Sequence, residues 1–392
     1  ERVEVLYGPQ STLYATSSPG GIVNIVTAEP KTDKYEAGGT LEYGNYNNLQ
    51  MQGMVNAPVS DKIALRAAFN TSVRDGYLAN GADDDDSKSA RLKALFKPSD
   101  RLSFILTGEL TNRGGHGYSG TAAFISESDV DDPWDNSNVQ GPGGGAQPPR
   151  YHKMKKVFGH FEWDFGLGSL TVIPSYLVED EFATMSRANP FTGETTTSSI
   201  DREGSEKGAE LRMASSSDSR IKWILGANHY KSDTNEMNMP DTGYYEYRVV
   251  TQTTDAFFGN ITYAVSDNIR INAGARKSDD ETYLSEQMLK SAAETGAPED
   301  FLVVMEAATK YSEPDFKIGV EYDVSENSML YADWSSSYRA VGYVLKQMDP
   351  ERIYAYTVGS KNRFFGNKVQ VNVSAFYYDY KDKVEEFGRV AD

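Results

Sequence analysis

The sequence predicts an all-β fold, a transmembrane antiparallel β-barrel, on three observations. Short polar turns recur along the chain, the segments beside them alternate apolar and polar residues, and long segments separate one turn from the next. Short turns at one end and long loops at the other are typical of outer-membrane barrels. Because such strands hide their apolar side chains on alternate positions, the mean hydropathy of −0.55 is compatible with a membrane location.

Seven short turns set the predicted strand boundaries. Each is rich in Gly, Asn, Asp, Ser or Pro, the residues that tight turns favour. The seven are Pro58–Lys62, Pro98–Arg101, Gly166–Ser169, Ser217–Arg220, Ser266–Asn268, Ser325–Ser328 and Phe365–Lys368. Two strands for each turn and one more give about 15 strands, whereas single-chain bacterial barrels have an even number. We therefore expect further strands beyond the polar segment Asp379–Asp392.

The strands beside the turns alternate in polarity, which predicts two differently solvated faces. After the first turn, Ile63 and Phe69 would face one way while Arg66 and Asn70 face the other. A period of two places one set in lipid and the other in a polar lumen. We expect apolar residues of later strands to face hydrocarbon in the same way. These are Phe104, Ile271 and Val371.

Composition and motif content exclude several functional classes. A net charge of −18 disfavours a nucleic-acid binder, which needs a basic surface. The absence of cysteine excludes disulfides and thiolate metal sites, and the four histidines are too dispersed for a zinc site. No apolar run approaches the ~18 residues of a spanning helix. No catalytic spacing or phosphate-binding loop stands out, so we expect neither an enzyme nor a bound cofactor.

The first thirty residues carry a specific motif, which runs through Glu1–Tyr14 and Ser18–Thr27. It resembles the last part of the plug domain of TonB-dependent receptors. The matching residues are Arg2, Glu4, Gly8, Pro9, Leu13, Tyr14, Gly20, Gly21, Asn24, Ile25, Thr27 and Pro30. The sequence departs from the family at Tyr7, where a basic residue is usual, and at Ala15, where glycine is usual. Since family plugs use that charge against barrel carboxylates, we expect this plug to be locked differently.

A second resemblance to the same family lies near the C-terminus, in Ser336–Tyr343, Tyr356–Lys361 and Phe376–Asp382. It implies that residues 1–31 are the end of the plug and residues 32–392 are a barrel that is incomplete at its C-terminus. Family barrels have twenty-two strands in full, with a plugged lumen. We therefore expect the complete protein to add the remaining strands, most of the plug, a signal peptide and a TonB-contact segment.

The resemblance implies active transport of a scarce nutrient across the outer membrane of a Gram-negative bacterium. The implied partners are the TonB–ExbB–ExbD complex, outer-membrane lipid and lipopolysaccharide around a monomeric barrel, and a small ligand. A ferric siderophore is the most frequent family substrate, and cobalamin, haem, oligosaccharides and plant-derived compounds remain open. Three other classes stay as alternatives: a passive pore, an adhesion barrel, and a hydrolase or secreted soluble β-protein.

Aromatic and basic residues in the outer segments are the candidate substrate contacts, because they can stack on and attract an anionic aromatic ligand. The candidates are His116, Trp134, Tyr244, Tyr245, Tyr247, Arg248 and Arg339. For each, a structural role is the alternative: a solvated loop, an interfacial aromatic girdle or a lumen-facing arginine. The acidic stretch Asp83–Asp86 is either a solvated loop or a Ca²⁺ site. The segment 281–295 has the pattern of a short helix within a loop.

Overall fold

A computed structural model of the chain describes residues 2–12, 20–77, 81, 83–116, 150–188, 195–216, 219–240, 244–290, 301–340 and 348–384. Strands dominate these ranges, and no helix occurs within them. Accordingly, none of the described segments is a helix long and apolar enough to cross a membrane.

Two short strands near the N-terminus form a separate antiparallel sheet. They are β1 (Arg2–Tyr7) and β2 (Gly21–Val26), and their register runs from Arg2 opposite Val26 to Tyr7 opposite Gly21. Neither strand pairs with the large sheet among the described residues. These strands include the motif residues that resemble the end of a plug.

The other fifteen strands form one antiparallel sheet in which every strand pairs with its neighbours in sequence. The first eight are β3 (Glu36–Gly44), β4 (Asn48–Pro58), β5 (Ile63–Arg74), β6 (Asp85–Ser99), β7 (Leu102–Gly114), β8 (Tyr151–Asp164), β9 (Gly168–Ala188) and β10 (Thr195–Ser215). The remaining seven are β11 (Ile221–Pro240), β12 (Tyr244–Ala264), β13 (Ile269–Lys290), β14 (Phe301–Ser325), β15 (Ser328–Arg339), β16 (Glu351–Phe364) and β17 (Val369–Lys381).

The fold class and the count of about 15 strands are therefore confirmed. Each of the seven predicted turns falls at a junction between consecutive strands; β4 ends at Pro58, for example, and β5 begins at Ile63. In the turn Ser217–Arg220, residues 217–218 lie outside the described ranges. Tight turns of this composition identify strand ends from sequence because their chemistry is local.

Strands β9 to β14 are much longer than a membrane crossing requires. Each has between 20 and 25 residues, whereas about 10 tilted residues cross the hydrocarbon. The helix predicted over 281–295 is wrong for residues 281–290, which belong to β13. Tyr283 pairs there with Thr251 on one side and Ala308 on the other, so cross-strand bonding overrides the helical pattern. Residues 291–295 lie outside the described ranges.

The alternation of polarity along the strands corresponds to two faces with different solvents. Ile63, Phe104, Ile271 and Val371 are 37%, 37%, 41% and 43% exposed, so they do not pack into a shared dry centre. Their neighbours on the opposite face are more enclosed, as at Ala64, which is completely buried. The outward set is apolar, as the outside of a membrane barrel requires.

Candidate functional site

The segment after β1 is buried against the inner face of the large sheet. Gly8 turns the chain with a positive φ of +74°, which glycine adopts without strain. A side chain there would come within 2.8 Å of the Tyr378 hydroxyl of β17, so glycine also permits the close approach. Beyond Gly8, Ser11 and Thr12 are 1% and 4% exposed.

Hydroxyl groups hold this segment in place. Ser11 Oγ lies 2.5 Å from Ser337 Oγ of β15, and the pair is buried. Thr12 lies against Gly274 of β13, where an added Cβ would be 3.3 Å from the threonine hydroxyl. Asp315 of β14 is completely buried beside Ser11. The segment 8–12 thus contacts the inner face from β13 to β17, and its own side chains there carry no charge.

The wall behind Ser11 is doubled because β15 leaves the plane of the sheet. The ladder between β14 and β15 ends at the pair Lys317–Ser335. Beyond that pair the backbone nitrogen of Phe316 donates to Ser336 Oγ at 3.0 Å instead of to the next strand. Ser335–Tyr338 are consequently four consecutive buried residues, an arrangement that requires cover on both faces of the strand.

The outer halves of β15 and β16 therefore lie on the inner face of β13 and β14. The Tyr338 hydroxyl donates a hydrogen bond to Asp280 of β13, and Tyr338 is 1% exposed. Arg352 of β16 forms an ion pair with Glu313 of β14. These contacts place an inner layer of two strands between the wall and the segment 8–12.

Below this layer, a polar group of the inner face is buried and satisfied within the wall. Arg276 of β13 is 2% exposed. Its Nε donates to Ser278 Oγ at 2.7 Å and its Nη2 donates to Asn228 Oδ1 at 3.0 Å. The guanidinium also lies 5.9 Å from the centre of the Phe258 ring.

Motif residues on β1 and β2 stabilise the small sheet itself. Glu4 accepts hydrogen bonds from Arg2 Nε at 2.5 Å and from Asn24 Nδ2 at 2.9 Å. These bonds, with that from Arg2 the stronger, hold the pKa of the Glu4 carboxyl below its ordinary value. Gly21 has a φ of +123°, and a side chain there would collide with the Leu6 carbonyl. Gly20 precedes this strand, while Pro9 is buried with the segment 8–12.

The linker after β2 is fixed to the opposite end of the sheet by two inward-facing side chains. Lys93 of β6 is 6% exposed, and its Nζ donates to Thr27 Oγ1 at 2.7 Å, Ala28 O at 3.0 Å and Thr27 O at 3.3 Å. Asn56 of β4 is completely buried. It accepts from the backbone nitrogen of Lys31 at 2.8 Å and donates to the Lys31 and Lys34 carbonyls.

Sequence reasoning singled out Thr27 but missed Lys93, Asn56 and Ser11. Lys93 alternates with outward apolar residues, as any lumen-facing residue does, so its pattern carried no special signal. A polar side chain in mid-strand on the inner face is only a weak indication of a plug contact.

Among the predicted substrate contacts, Arg248 belongs to a charge ladder at the outer ends of β9 to β13. Arg248 lies 3.3 Å from Glu236 and 3.4 Å from Glu286. Arg202 bonds Glu236 at 2.6 Å and Glu181 at 2.8 Å. The ladder thus alternates carboxylate and guanidinium across five strands.

The tyrosines beside Arg248 lie on the other face of β12. Tyr245 and Tyr247 alternate with Arg248 along the strand, and Tyr245 is 38% exposed. Tyr244 begins the strand and pairs with Lys290, and its side chain lies outside the described set. The sequence run therefore divides between two faces rather than forming one cluster.

The other candidates occupy separate hairpins. His116 binds Asp84 through both its backbone nitrogen, at 2.6 Å, and its ring Nδ1, at 2.9 Å. Arg339 Nε lies 2.6 Å from Glu351, yet its side chain stays 60% exposed. Trp134 lies outside the described residues.

The acidic stretch Asp83–Asp86 is already engaged by protein groups. The Ser72 hydroxyl donates to Asp85 at 2.6 Å, and Asp86 lies 2.8 Å from Lys88. Within the described ranges, no group of three or more His, Asp or Glu side chains is arranged to hold a metal ion.

Comparison with known proteins identifies the family. The family model described as TonB dependent receptor-like, beta-barrel, matches residues 27–391. The pesticin receptor of Yersinia enterocolitica is 23% identical over 97% of this chain and 56% of its own length. The metal-pseudopaline receptor CntO of Pseudomonas aeruginosa is 35% identical over 19% of this chain and 10% of its own length. The chain thus spans about half the length of the pesticin receptor.

Solved structures agree in fold. The ferric yersiniabactin uptake receptor FyuA of Yersinia pestis superposes with a TM-score of 0.77 at 19% identity, over 97% of this chain and 60% of that one. FpvA of P. aeruginosa bound to a heterologous pyoverdine gives 0.79 at 13% identity, over 98% and 53%. With the family match, these similarities confirm the predicted fold class and the outer membrane of a Gram-negative bacterium as the location. The chain belongs to the family of TonB-dependent receptors.

Proposed function

We propose that this protein imports a scarce nutrient across the outer membrane, with a ferric siderophore as its substrate and TonB, ExbB and ExbD as the source of energy. The observation that carries the proposal is the burial of Ser11 and Thr12 against the inner face of the sheet. A segment of the chain that occupies the lumen must move before a solute passes, and such movement needs an energy input. The siderophore is supported by relatives described as uptake receptors for ferric yersiniabactin and ferric enterobactin.

The proposed division of the chain assigns residues 1–31 to the plug and residues 32–392 to the barrel. It is supported by the separation of β1 and β2 from the fifteen-stranded sheet and by the family model, which begins at residue 27. On this division, Lys93 and Asn56 connect the barrel wall to the end of the plug and the linker. The protein then acts as a monomeric transporter and not as an enzyme.

The proposed substrate contacts are the exposed outer candidates, first among them Arg339. Its guanidinium is paired with Glu351 but is 60% exposed, so a ligand anion has access to it. Arg248 is shared between two carboxylates and is less available. We therefore expect Arg339→Gln to weaken substrate binding more than Arg248→Gln. His116, Trp134, Tyr244, Tyr245 and Tyr247 remain proposed contacts.

Uptake of iron-55 chelates in a strain lacking the gene tests the proposal. We expect loss of uptake for at least one siderophore class, restored by the full-length gene and abolished by a protonophore. Normal uptake of every chelate by the deletion strain would rule out siderophore import.

A passive pore is distinguished by conductance of the full-length protein in planar bilayers. Import by a plugged barrel predicts a negligible resting current, and a large resting current would favour the porin. The paired variants Ser11→Ala and Ser337→Ala refine this test, because each removes one partner of the buried hydroxyl pair. We expect each to raise the frequency of brief openings, whereas the outward-facing Ser360→Ala leaves it unchanged.

A further inference from the structure

The outward face of strands β4 to β9 contains an apolar hollow of about 680 Å³. Its floor is made of small residues that lie side by side on neighbouring strands: Ala67, Ala90 and Gly108. Register shows why the hollow forms. Ala67 pairs with Leu92, and Leu92 pairs with Gly108, so the larger side chains stand at the sides of a shallow floor. At Gly108 an added Cβ would meet nothing within 4 Å.

The hollow faces the membrane and not the lumen. Leu92, Leu110 and Val157 line it and are 54%, 57% and 43% exposed. They share the outward face with Phe104, two or more residues along from the same pairs. A concave apolar surface at this depth is complementary to hydrocarbon chains, because lipid is the solvent there.

Two lysines lie at the upper edge of the hollow. Lys155 of β8 lines it and pairs with outward-facing Leu110. Lys207 of β10 pairs with Tyr176, which also lines the hollow, and its Nζ lies 6.0 Å from the centre of that ring. Lys155 is about nine residues from the turn after β8, or about 30 Å of strand. With the usual tilt, that distance reaches the upper boundary of an apolar band about 25 Å tall.

Charge makes this position unusual. The chain carries a net charge of −18, yet among the described residues neither Lys155 nor Lys207 forms an ion pair. Lys207 is directly opposite Lys231 on β11, and like charges in such a pair repel. Lys231 has Asp233 at 3.1 Å, but that carboxylate is on its own strand. An external anion at this height would relieve the repulsion.

We propose that this surface binds a phosphorylated lipid of the outer leaflet. One acyl chain fills the hollow over Gly108, while Lys155 and Lys207 contact phosphate at the level of the headgroup. The two lysines are two strands apart, about 10 Å laterally, so their long side chains span a headgroup that carries two phosphates. Basic positions beside apolar grooves are how membrane proteins select anionic lipids. The site is independent of the transported substrate.

Native mass spectrometry of the purified full-length protein tests the proposal with three probes: diphosphoryl lipid A, its dephosphorylated form and inorganic phosphate. We expect diphosphoryl lipid A to bind at least about tenfold more tightly than the dephosphorylated form. Lys155→Gln combined with Lys207→Gln should remove that preference. Lys277→Gln, an exposed outward lysine of β13, should not change it.

The hollow has its own variant. Gly108→Leu fills the floor without a backbone clash, so it should weaken binding of both lipid forms several-fold while circular dichroism and the unfolding temperature stay unchanged. Equal lipid binding by wild type, the double lysine variant and Gly108→Leu would overturn the proposal. Competition by inorganic phosphate at concentrations similar to those of the lipid would also overturn it, since the site would then bind a free anion.

Discussion

Arg248 of β12 lies directly opposite Glu236 of β11, with 3.3 Å between Nη1 and Oε1. Arg202 lies on the other side of Glu236 in the same register, and Glu286 lies opposite Arg248 on β13. Every step of the ladder is therefore a directly opposed cross-strand pair. Since the ladder is on strand ends that extend past the membrane, it aligns those ends with one another.

We expect Arg248→Gln to loosen these outer strand ends. The change leaves Glu286 without a described ion-pair partner, and pairs that are a third exposed contribute about 0.5–1 kcal/mol each. Hydrogen exchange should be about two- to fivefold faster in the outer ends of β11 to β13. Lys310→Gln is the control, because its pair with Glu281 is 68% and 58% exposed. Unchanged exchange in Arg248→Gln would show that the ladder does not order the strand ends.

Tyr338→Phe should destabilise the inner layer formed by β15 and β16. The variant removes the hydroxyl that donates to Asp280, and an unsatisfied buried acceptor costs about 1–3 kcal/mol. The denaturant midpoint of the full-length protein should fall accordingly. Tyr356→Phe, at a 51% exposed outward position, should leave the midpoint unchanged. Equal midpoints for the two variants would contradict a structural role for the Tyr338 hydroxyl.

Lys93→Met should free the linker between plug and barrel. It removes three hydrogen bonds to Thr27 and Ala28 while keeping a side chain of similar length. Trypsin cleavage after Lys31 and Lys34 should become several-fold faster, because local opening limits proteolysis. Lys97→Met, near an exposed turn, is the matched control. The prediction fails if both variants are cleaved at the wild-type rate.

Ile318→Arg should impair insertion into the membrane. Ile318 is 54% exposed on the outward face of β14, and arginine facing lipid near the midplane costs about 2–4 kcal/mol. Lys317→Arg, one residue earlier on the inner face, should fold normally. Folding yield into lipid vesicles, followed by the gel shift of the folded barrel, distinguishes them. Similar yields would mean that these two faces do not meet different solvents.

The strand framework could be predicted from sequence because turns and alternation are local properties. Turn chemistry at Pro58–Lys62 fixed a boundary, and a period of two assigned Ile63 and Phe104 to the outward face. The error at 281–290 has the same origin, since a local pattern does not include the cross-strand bonds of β13.

The contacts of the candidate site could not be predicted, because they depend on distant pairings. Ser11 and Ser337 are 326 positions apart, and nothing in either neighbourhood indicates the other. Arg248 was singled out from its composition and its aromatic neighbours. Its partners Glu236 and Glu286 follow only from strand register, which the sequence leaves open where loops are long.

The segment 8–12 touches the barrel through hydroxyls and close backbone approach. Hydrogen bonds between neutral groups act over a short range, whereas attraction between charges fades slowly with separation. A displacement of about an ångström therefore removes most of the attraction at Ser11, with little residual force to draw the segment back. Such an attachment is mechanically brittle: it resists small loads and then lets go in a single step.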